Sequence, residues 1–216
     1  MEIPQNKLIV IVGANGAGKS TLFRLLERFY PVSGGRVRLG GKDAADCSLE
    51  SWRRAVGLMP QDEVLMAGTI RSNLSMGADD FYKDEALDDV FRKLGMKDWI
   101  DSLPQGYDTP VETGGSNFSG GQKQILGMAR VLLYDPQILL LDEATSNLDA
   151  KCAAQVRMAL SKLREDRTVI MIAHDLNTIL SADHAIILRD GKTAFARDPR
   201  QVLTEVSNYR HTVMNG

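Results

Sequence analysis

Apolar positions along the chain alternate between two kinds of pattern. Residues 8–12 (LIVIV) form a continuous β-branched apolar run, as expected for a strand buried on both faces of a parallel sheet. A glycine loop follows at 13–18, and residues 19–29, with Leu22, Phe23, Leu25 and Leu26 on one side, predict a helix. Tyr30, Pro31, Ser33, Gly34 and Gly35 break it. Short strands are expected at 36–39 and 55–59. Between about 69 and 133 helical spacing takes over, at 85–94, 97–102 and 120–133. Strand–helix alternation then returns: strand 138–141, amphipathic helix 150–164, strand 169–173 and helix 176–181. Strands 185–188 and 193–196 flank Arg189, Asp190, Gly191 and Lys192, a good hairpin turn. This order predicts an α/β fold, a mainly parallel sheet covered on both faces. The core takes residues 1–66 and 134–216, and residues 67–133 form an inserted α-helical subdomain.

Composition narrows the function classes. The 216 residues suit one large domain or two subdomains sharing a core, and 44% hydrophobic with 25% charged residues can bury that core. A net charge of −2 argues against a nucleic-acid partner, which would call for many Lys and Arg on phosphates. Cys47 and Cys152 are far apart, without Cys or His at metal-ligand spacing, so free thiols in a reducing compartment are expected. No apolar run reaches the ~18 residues of a membrane span, and the run at 8–12 is too short for a signal peptide. The expected location is the cytosol, or the cytosolic face of a membrane through a partner.

The chemistry begins at Gly13. Residues Gly13, Ala14, Asn15, Gly16, Ala17, Gly18, Lys19 and Ser20 fit G-x-x-x-x-G-K-[ST] between a predicted strand and a predicted helix. Glycines let backbone N–H groups converge on phosphates without a Cβ in the way. The helix beginning at Lys19 turns its positive end toward them. Lys19 would reach the β- and γ-phosphates, the Ser20 hydroxyl would ligate Mg²⁺, and Thr21 extends the polar lip. A second acidic element, Asp142 and Glu143, ends the buried strand 138–141, at the sheet edge where α/β proteins bind ligands. Beside a phosphate loop, Asp142 would hold Mg²⁺ directly or through water, and Glu143 would act as general base on the attacking water.

Asn117, Phe118, Ser119, Gly120, Gly121 and Gln122 open the long helix 120–133. Ser119 is a natural N-cap, and the two glycines leave backbone N–H groups accessible to an anion. One chain needs a single γ-phosphate cradle, so a second cradle points to a site completed by another copy of the protein.

FSGGQKQILGMAR, residues 118–130, resembles the signature of ABC (ATP-binding cassette) proteins, usually L-S-G-G-Q followed by a helix ending in A-R. With residues 13–21 and 139–143, the order and spacing resemble an ABC ATPase along nearly the whole chain. The resemblance implies a P-loop NTPase (RecA-like) core and ATP with Mg²⁺ as ligands. It also implies three further parts. Gln61 is similar to the Q-loop glutamine that senses Mg²⁺ and the attacking water. Ser146, Asn147, Leu148 and Asp149 resemble the D-loop that meets its counterpart across the dimer. His174 resembles the switch histidine that contacts the γ-phosphate. His184 and His211 match no motif.

Residues 64–74 (VLMAGTIRSNL) resemble the exporter form x-L-F-x-G-T-I-x-x-N, and 106–117 resembles the exporter stretch that touches the membrane domain's coupling helices. Met66 stands where Phe is usual, Thr113 where Glu is frequent and Glu112 where Gly is common. Family members carry two or three strands before the phosphate loop, with an aromatic residue that stacks on adenine. Without that aromatic, affinity falls by about 0.5–1.5 kcal/mol. The expectation is therefore a fragment, a truncated gene model, or the C-terminal part of a polypeptide with transmembrane helices. The implied activity is ATP hydrolysis powering export, by a head-to-tail dimer (homo- or heteromeric) joined to transmembrane domains. Two other classes fit less well. Soluble ABC ATPases of translation or DNA repair usually have paired cassettes or coiled-coil insertions. A catalytically idle regulatory cassette would not need Lys19, Ser119, Asp142, Glu143 and His174 together.

Overall fold

A computed structural model describes residues 2–143, 148–189, 191–196 and 198–200, with the side chains of Lys151 and of 194–196 excluded. The chain starts with strand β1 (Leu8–Val12) and helix α1 (Lys19–Leu26). The small strands β2 (Arg38–Leu39) and β3 (Lys42–Asp43), helix α2 (Leu49–Ala55) and strand β4 (Val56–Met59) come next. Strand β5 (Gly68–Thr69) and helices α3 (Ile70–Leu74), α4 (Asp84–Lys93) and α5 (Lys97–Asp101) follow. After strand β6 (Pro110–Val111) and helix α6 (Gly120–Leu133), the alternation resumes with β7 (Ile138–Asp142) and α7 (Ala150–Leu163). The last elements are β8 (Thr168–Ile172), α8 (Leu176–Ser181), β9 (His184–Arg189) and β10 (Lys192–Ala196).

The main sheet has six strands in the order β10-β9-β1-β8-β7-β4. All its pairings are parallel except β9 with β10, the predicted hairpin. Side chains on a strand alternate between faces, and β1 shows why its sequence is apolar throughout. Leu8, Val10 and Val12 join one core cluster, with Leu126 and Met128 of α6 and Val156 and Leu160 of α7. Ile9 and Ile11 join the other, with Phe23 of α1 and Trp52 of α2. A strand covered on both sides has no solvent face to make polar. Because β1, β4, β7 and β8 run parallel, their carboxyl ends lie at one edge of the sheet, and the loop after each opens there.

Helix α1 is shorter than the spacing of Leu22, Phe23, Leu25 and Leu26 predicts. It ends at Leu26 because Arg28 takes a left-handed conformation with φ of 56°, and the Trp52 indole N–H donates to the freed Leu26 carbonyl at 2.7 Å. Helix α2 was not expected: only Trp52 of its residues is buried, too little for an apolar stripe. Glu27, at the end of α1, is 5% exposed, and its Oε1 has no hydrogen-bond partner. Burial pushes this carboxyl from 4.5 up to about 7, against the opposing charge of Arg53.

A raised carboxylate pKa means that the folded state holds its proton longer than the unfolded chain. Stability is then full below pH ~4.5 and declines as pH rises through ~7, by at most about 3 kcal/mol. Glu27→Gln is expected to match the parent chain at about pH 4 and to exceed it at pH 8. Urea unfolding at the two pH values checks this, and equal differences at both would contradict it.

Candidate active site

The loop between β1 and α1 is shaped by its glycines: Gly16 and Gly18 hold φ of 79° and 98°, a region open to glycine at no steric cost. Gly18 is the N-cap of α1 and supplies no side-chain cap, so the first-turn N–H groups stay available at the loop. Asn15 and Gly16 are exposed, while Gly13, Ala17 and Gly18 are half-buried. Lys19 is only 8% exposed, and its ammonium donates to the carbonyls of Gly13 at 2.9 Å and Ala14 at 3.0 Å. Burial lowers its pKa, while the charges of Glu143 and Asp142 pull it back up. Ser20 and Thr21 are exposed on the first turn. The Ser20 side chain lies beside Asp142, which ends β7, in one pocket. Burial raises the Asp142 pKa, and the neighbouring Ser20 hydroxyl is the largest influence opposing it.

Three loops converge on Glu143. The residue itself adopts a left-handed φ of 52°, a strained conformation for a non-glycine, and its N–H donates to the Ile172 carbonyl at 3.3 Å. That turn presents the carboxylate to both neighbouring loops. Gln61, two residues beyond β4, donates its Nε2 to Glu143 Oε2 at 2.9 Å. His174, two residues beyond β8, places Nε2 at 3.1 Å from Glu143 Oε1. Gln124 of α6, 2% exposed, donates to the Glu143 main-chain carbonyl at 3.4 Å. The sequence marks Gln61, Glu143 and His174 separately, and the sheet edge brings the other two against the Glu143 carboxylate. Gln124 escaped notice, because a buried glutamine in an apolar helix carries no motif of its own.

The second glycine element stands apart. Ser119 caps α6 in a reciprocal capping box: Gln122 N–H donates to Ser119 Oγ at 3.2 Å, and Ser119 N–H to Gln122 Oε1 at 2.8 Å. Ser119 and Gly120 are exposed and Gly121 is half-buried. Among the described residues, no hydrogen bond joins Ser119, Gly120, Gly121 or Gln122 to the phosphate loop. Ser146 and Asn147 lie outside the described residues, as do His211 and Asp190 of the hairpin turn. Asp149 is described, and its carboxylate accepts from the Cys152 N–H at 2.9 Å in the first turn of α7. His184 sits half-buried on β9, opposite Ile9.

The two stretches flanking α3–α5 are joined to each other. Strands β5 and β6 pair antiparallel, and the Ile70 N–H donates to Thr109 O at 3.0 Å. Asn73, 1% exposed, bonds the N–H and carbonyl of Met66 (both 2.8 Å) and Thr69 O (2.9 Å). Met66 itself is 57% exposed. Glu112 accepts from Ser116 at 2.6 Å, and Thr113–Gly115 forms a 3₁₀ turn.

A phosphate loop on a parallel α/β sheet, with acidic and amide groups at the carboxyl edge, defines a P-loop nucleotide-binding protein. A family model described as "ABC transporter" matches residues 1–146, and the chain belongs to that family. It is 41% identical over 191 residues to a multidrug resistance ABC transporter ATP-binding and permease protein of Lactococcus lactis, covering 88% of this chain and 32% of the relative. It is 45% identical over 193 residues to the mitochondrial iron-sulfur clusters transporter ABCB7 of Homo sapiens, covering 89% and 26%. The solved structure of a bacterial Atm1-family ABC exporter with ATP bound superposes with a TM-score of 0.85 at 39% identity, covering 93% of this chain and 35% of that one. The chain thus spans about a third or less of these relatives, the part that is their ATP-binding domain. ATP-binding domains of ABC transporters are its class.

The residues present fit a nucleotide with a hard divalent cation. Gly16 faces open space, with nothing within 4 Å of where a Cβ would stand. The Ser20 hydroxyl and the Asp142 carboxylate line one pocket and offer it oxygen ligands. Among the described residues, no cluster of three or more His, Cys, Asp or Glu could cage a metal. Mg²⁺ needs none, because it binds through one or two protein oxygens, substrate phosphates and water.

Proposed function

We propose that this chain binds and hydrolyses MgATP as one half of a head-to-tail dimer and thereby powers export through transmembrane domains. The observation carrying this reading is the convergence of Gln61 and His174 on the Glu143 carboxylate, beside the phosphate loop. Backbone N–H groups from Gly13 to Gly18, including those of Asn15 and Ala17, cradle the phosphates, with Thr21 at the lip. Lys19 leaves the Gly13 and Ala14 carbonyls for the β- and γ-phosphates. Ser20, Asp142 and Gln61 would hold Mg²⁺, which when bound offsets phosphate charge.

Glu143 accepts the proton of the attacking water as general base. Gln61 and His174 orient its carboxylate, and His174 then faces the γ-phosphate. Ser119, Gly120, Gly121 and Gln122 close the site from a second copy, whether the same chain or a related one. Closure is the working stroke. Residues 61–73 and 106–116, tied together by the β5–β6 pairing and the Ile70–Thr109 hydrogen bond, form the face that passes it to the membrane partner. Residues 67–133 act as the helical subdomain on a core of 1–66 and 134–216.

Among the described residues no helix is long and apolar enough to cross a membrane. The reading places the domain on the cytosolic face, through the permease part of its polypeptide or complex. No role for nucleic acid is proposed.

Ser119→Arg separates the two copies' contributions. It puts a bulky cation at the α6 N-terminus, where like charge meets the helix dipole, and leaves the chain's own phosphate loop untouched. Nucleotide affinity of the separate chain is expected to stay within about 2-fold, a difference under RT ln 2 ≈ 0.4 kcal/mol. Hydrolysis should fall by on the order of 10²-fold or more, as when one preorganised donor is lost. Turnover at the parent rate would contradict the shared site.

A further inference from the structure

Helix α6 carries more than the Ser119 end. Arg130, roughly 16 Å along the helix from Ser119, pairs through Nη1 with Glu63 Oε1. Glu63 follows Gln61 by two residues, and its side chain is 5% exposed. Arg130 also donates through Nε to the carbonyl of Asn73 at 2.8 Å, the residue whose amide holds Met66 and Thr69. The stretch from Glu63 to Asn73 is therefore fastened to α6 at both ends by one side chain.

One turn earlier on the same face, α6 has a glycine where a side chain does not fit. A Cβ at Gly127 would stand 2.5 Å from Glu63 Oε2 and 2.7 Å from its Cγ. Gly127 is thus a notch that admits the carboxylate to Arg130. Another turn earlier, Gln124 holds the main chain of Glu143, whose carboxylate is held by Gln61. Gln61, Glu143, Gln124, the helix, Arg130 and Glu63 make a closed ring of contacts.

We propose that Glu63, seated over Gly127 and paired with Arg130, is a positioning residue that locks Gln61 to α6. The nucleotide site of this chain and the Ser119 end it offers a second copy then shift as one rigid piece. Nothing in this ring touches the phosphates except through Gln61 and Glu143. The pair sets when the site is assembled, not how tightly nucleotide binds. The inference rests on the dimer reading above.

Three variants test it. Glu63→Gln keeps the shape and removes the charge; Gly127→Ala keeps the charge and fills the notch; Glu63→Asp with Gly127→Ala shortens the acid to fit the added methyl. In the purified chain, Glu63→Gln and Gly127→Ala are expected to lower kcat about 10-fold or more while MgATP affinity and KM stay within about 2-fold. The double variant should recover at least half of the parent kcat. Hydrogen exchange of residues 61–74 reads the lock without turnover. It should quicken about 10-fold in Gly127→Ala and slow again in the double variant.

Parallel loss of kcat and nucleotide affinity, or no recovery in the double variant, would mean a structural ion pair and overturn the proposal. A parent chain that hydrolyses ATP alongside an unaffected Glu63→Gln would do the same. A parent that binds MgATP without hydrolysing it would instead overturn the dimer ATPase reading, and the exchange data would still decide the lock.

Discussion

Glu143→Gln is expected to bind ATP as the parent does, to hydrolyse it on the order of 10²–10⁴-fold more slowly, and to accumulate as an ATP-bound dimer. The geometry explains why so conservative a change has so large an effect. A carboxamide is almost isosteric with the carboxylate and still offers one oxygen to Gln61 or to His174, now 2.9 and 3.1 Å away. The left-handed turn at Glu143 and its bond to Ile172 O are main-chain features and survive the change. What disappears is the ability to accept a proton from water. Closure would proceed, reopening would wait on a step that no longer occurs, and the dimer would persist. Sedimentation with and without ATP, beside single-turnover hydrolysis, checks both halves. Hydrolysis at the parent rate would remove Glu143 from the role of base.

Lys19→Met is expected to act earlier, at binding. Methionine keeps much of the buried stem and deletes the ammonium. That ammonium donates to two loop carbonyls and feels the charges of Asp142 and Glu143. Without it the two carboxylates lose a neighbouring cation, and polyphosphate meets uncompensated negative charge. We expect kcat/KM to fall on the order of 10²–10³-fold, the scale for one preorganised donor, with most of the loss in nucleotide affinity. Calorimetric titration of MgATP distinguishes this from Glu143→Gln, whose affinity is expected to be unchanged. Unchanged affinity in Lys19→Met would contradict the placement of phosphate at this loop.

Much of the fold is legible in the sequence because parallel strands covered on both faces write themselves as apolar runs. LIVIV at Leu8–Val12 and ILLL within Ile138–Asp142 need no periodicity to be found. The hairpin of β9 and β10 is visible from its turn residues. Less legible are elements held by contacts distant in sequence. Helix α3 is a short capped turn, and β5 and β6 are two-residue strands that exist because of each other. Helix α2 shows the core only Trp52.

The candidate site divides the same way. Gly13 to Ser20 and the Asp142–Glu143 pair are local patterns, with chemistry carried by residue type and spacing. Gln61 and His174 are single residues after strands, and a family resemblance was needed to single them out. Their convergence on one carboxylate depends on strand order, with β7 lying between β4 and β8. What Gln124, Glu63 and Arg130 hold was invisible, because a buried amide and a buried ion pair are recognised only by what they touch.

A catalytic site shared between two copies makes the ATPase rate per chain depend on chain concentration. With MgATP saturating, specific activity is expected to rise with concentration and level off as dimer forms, and to stay on the order of 10²–10⁴-fold lower in Glu143→Gln throughout. Specific activity that stays constant down to concentrations where the chain is monomeric with ATP bound would contradict it.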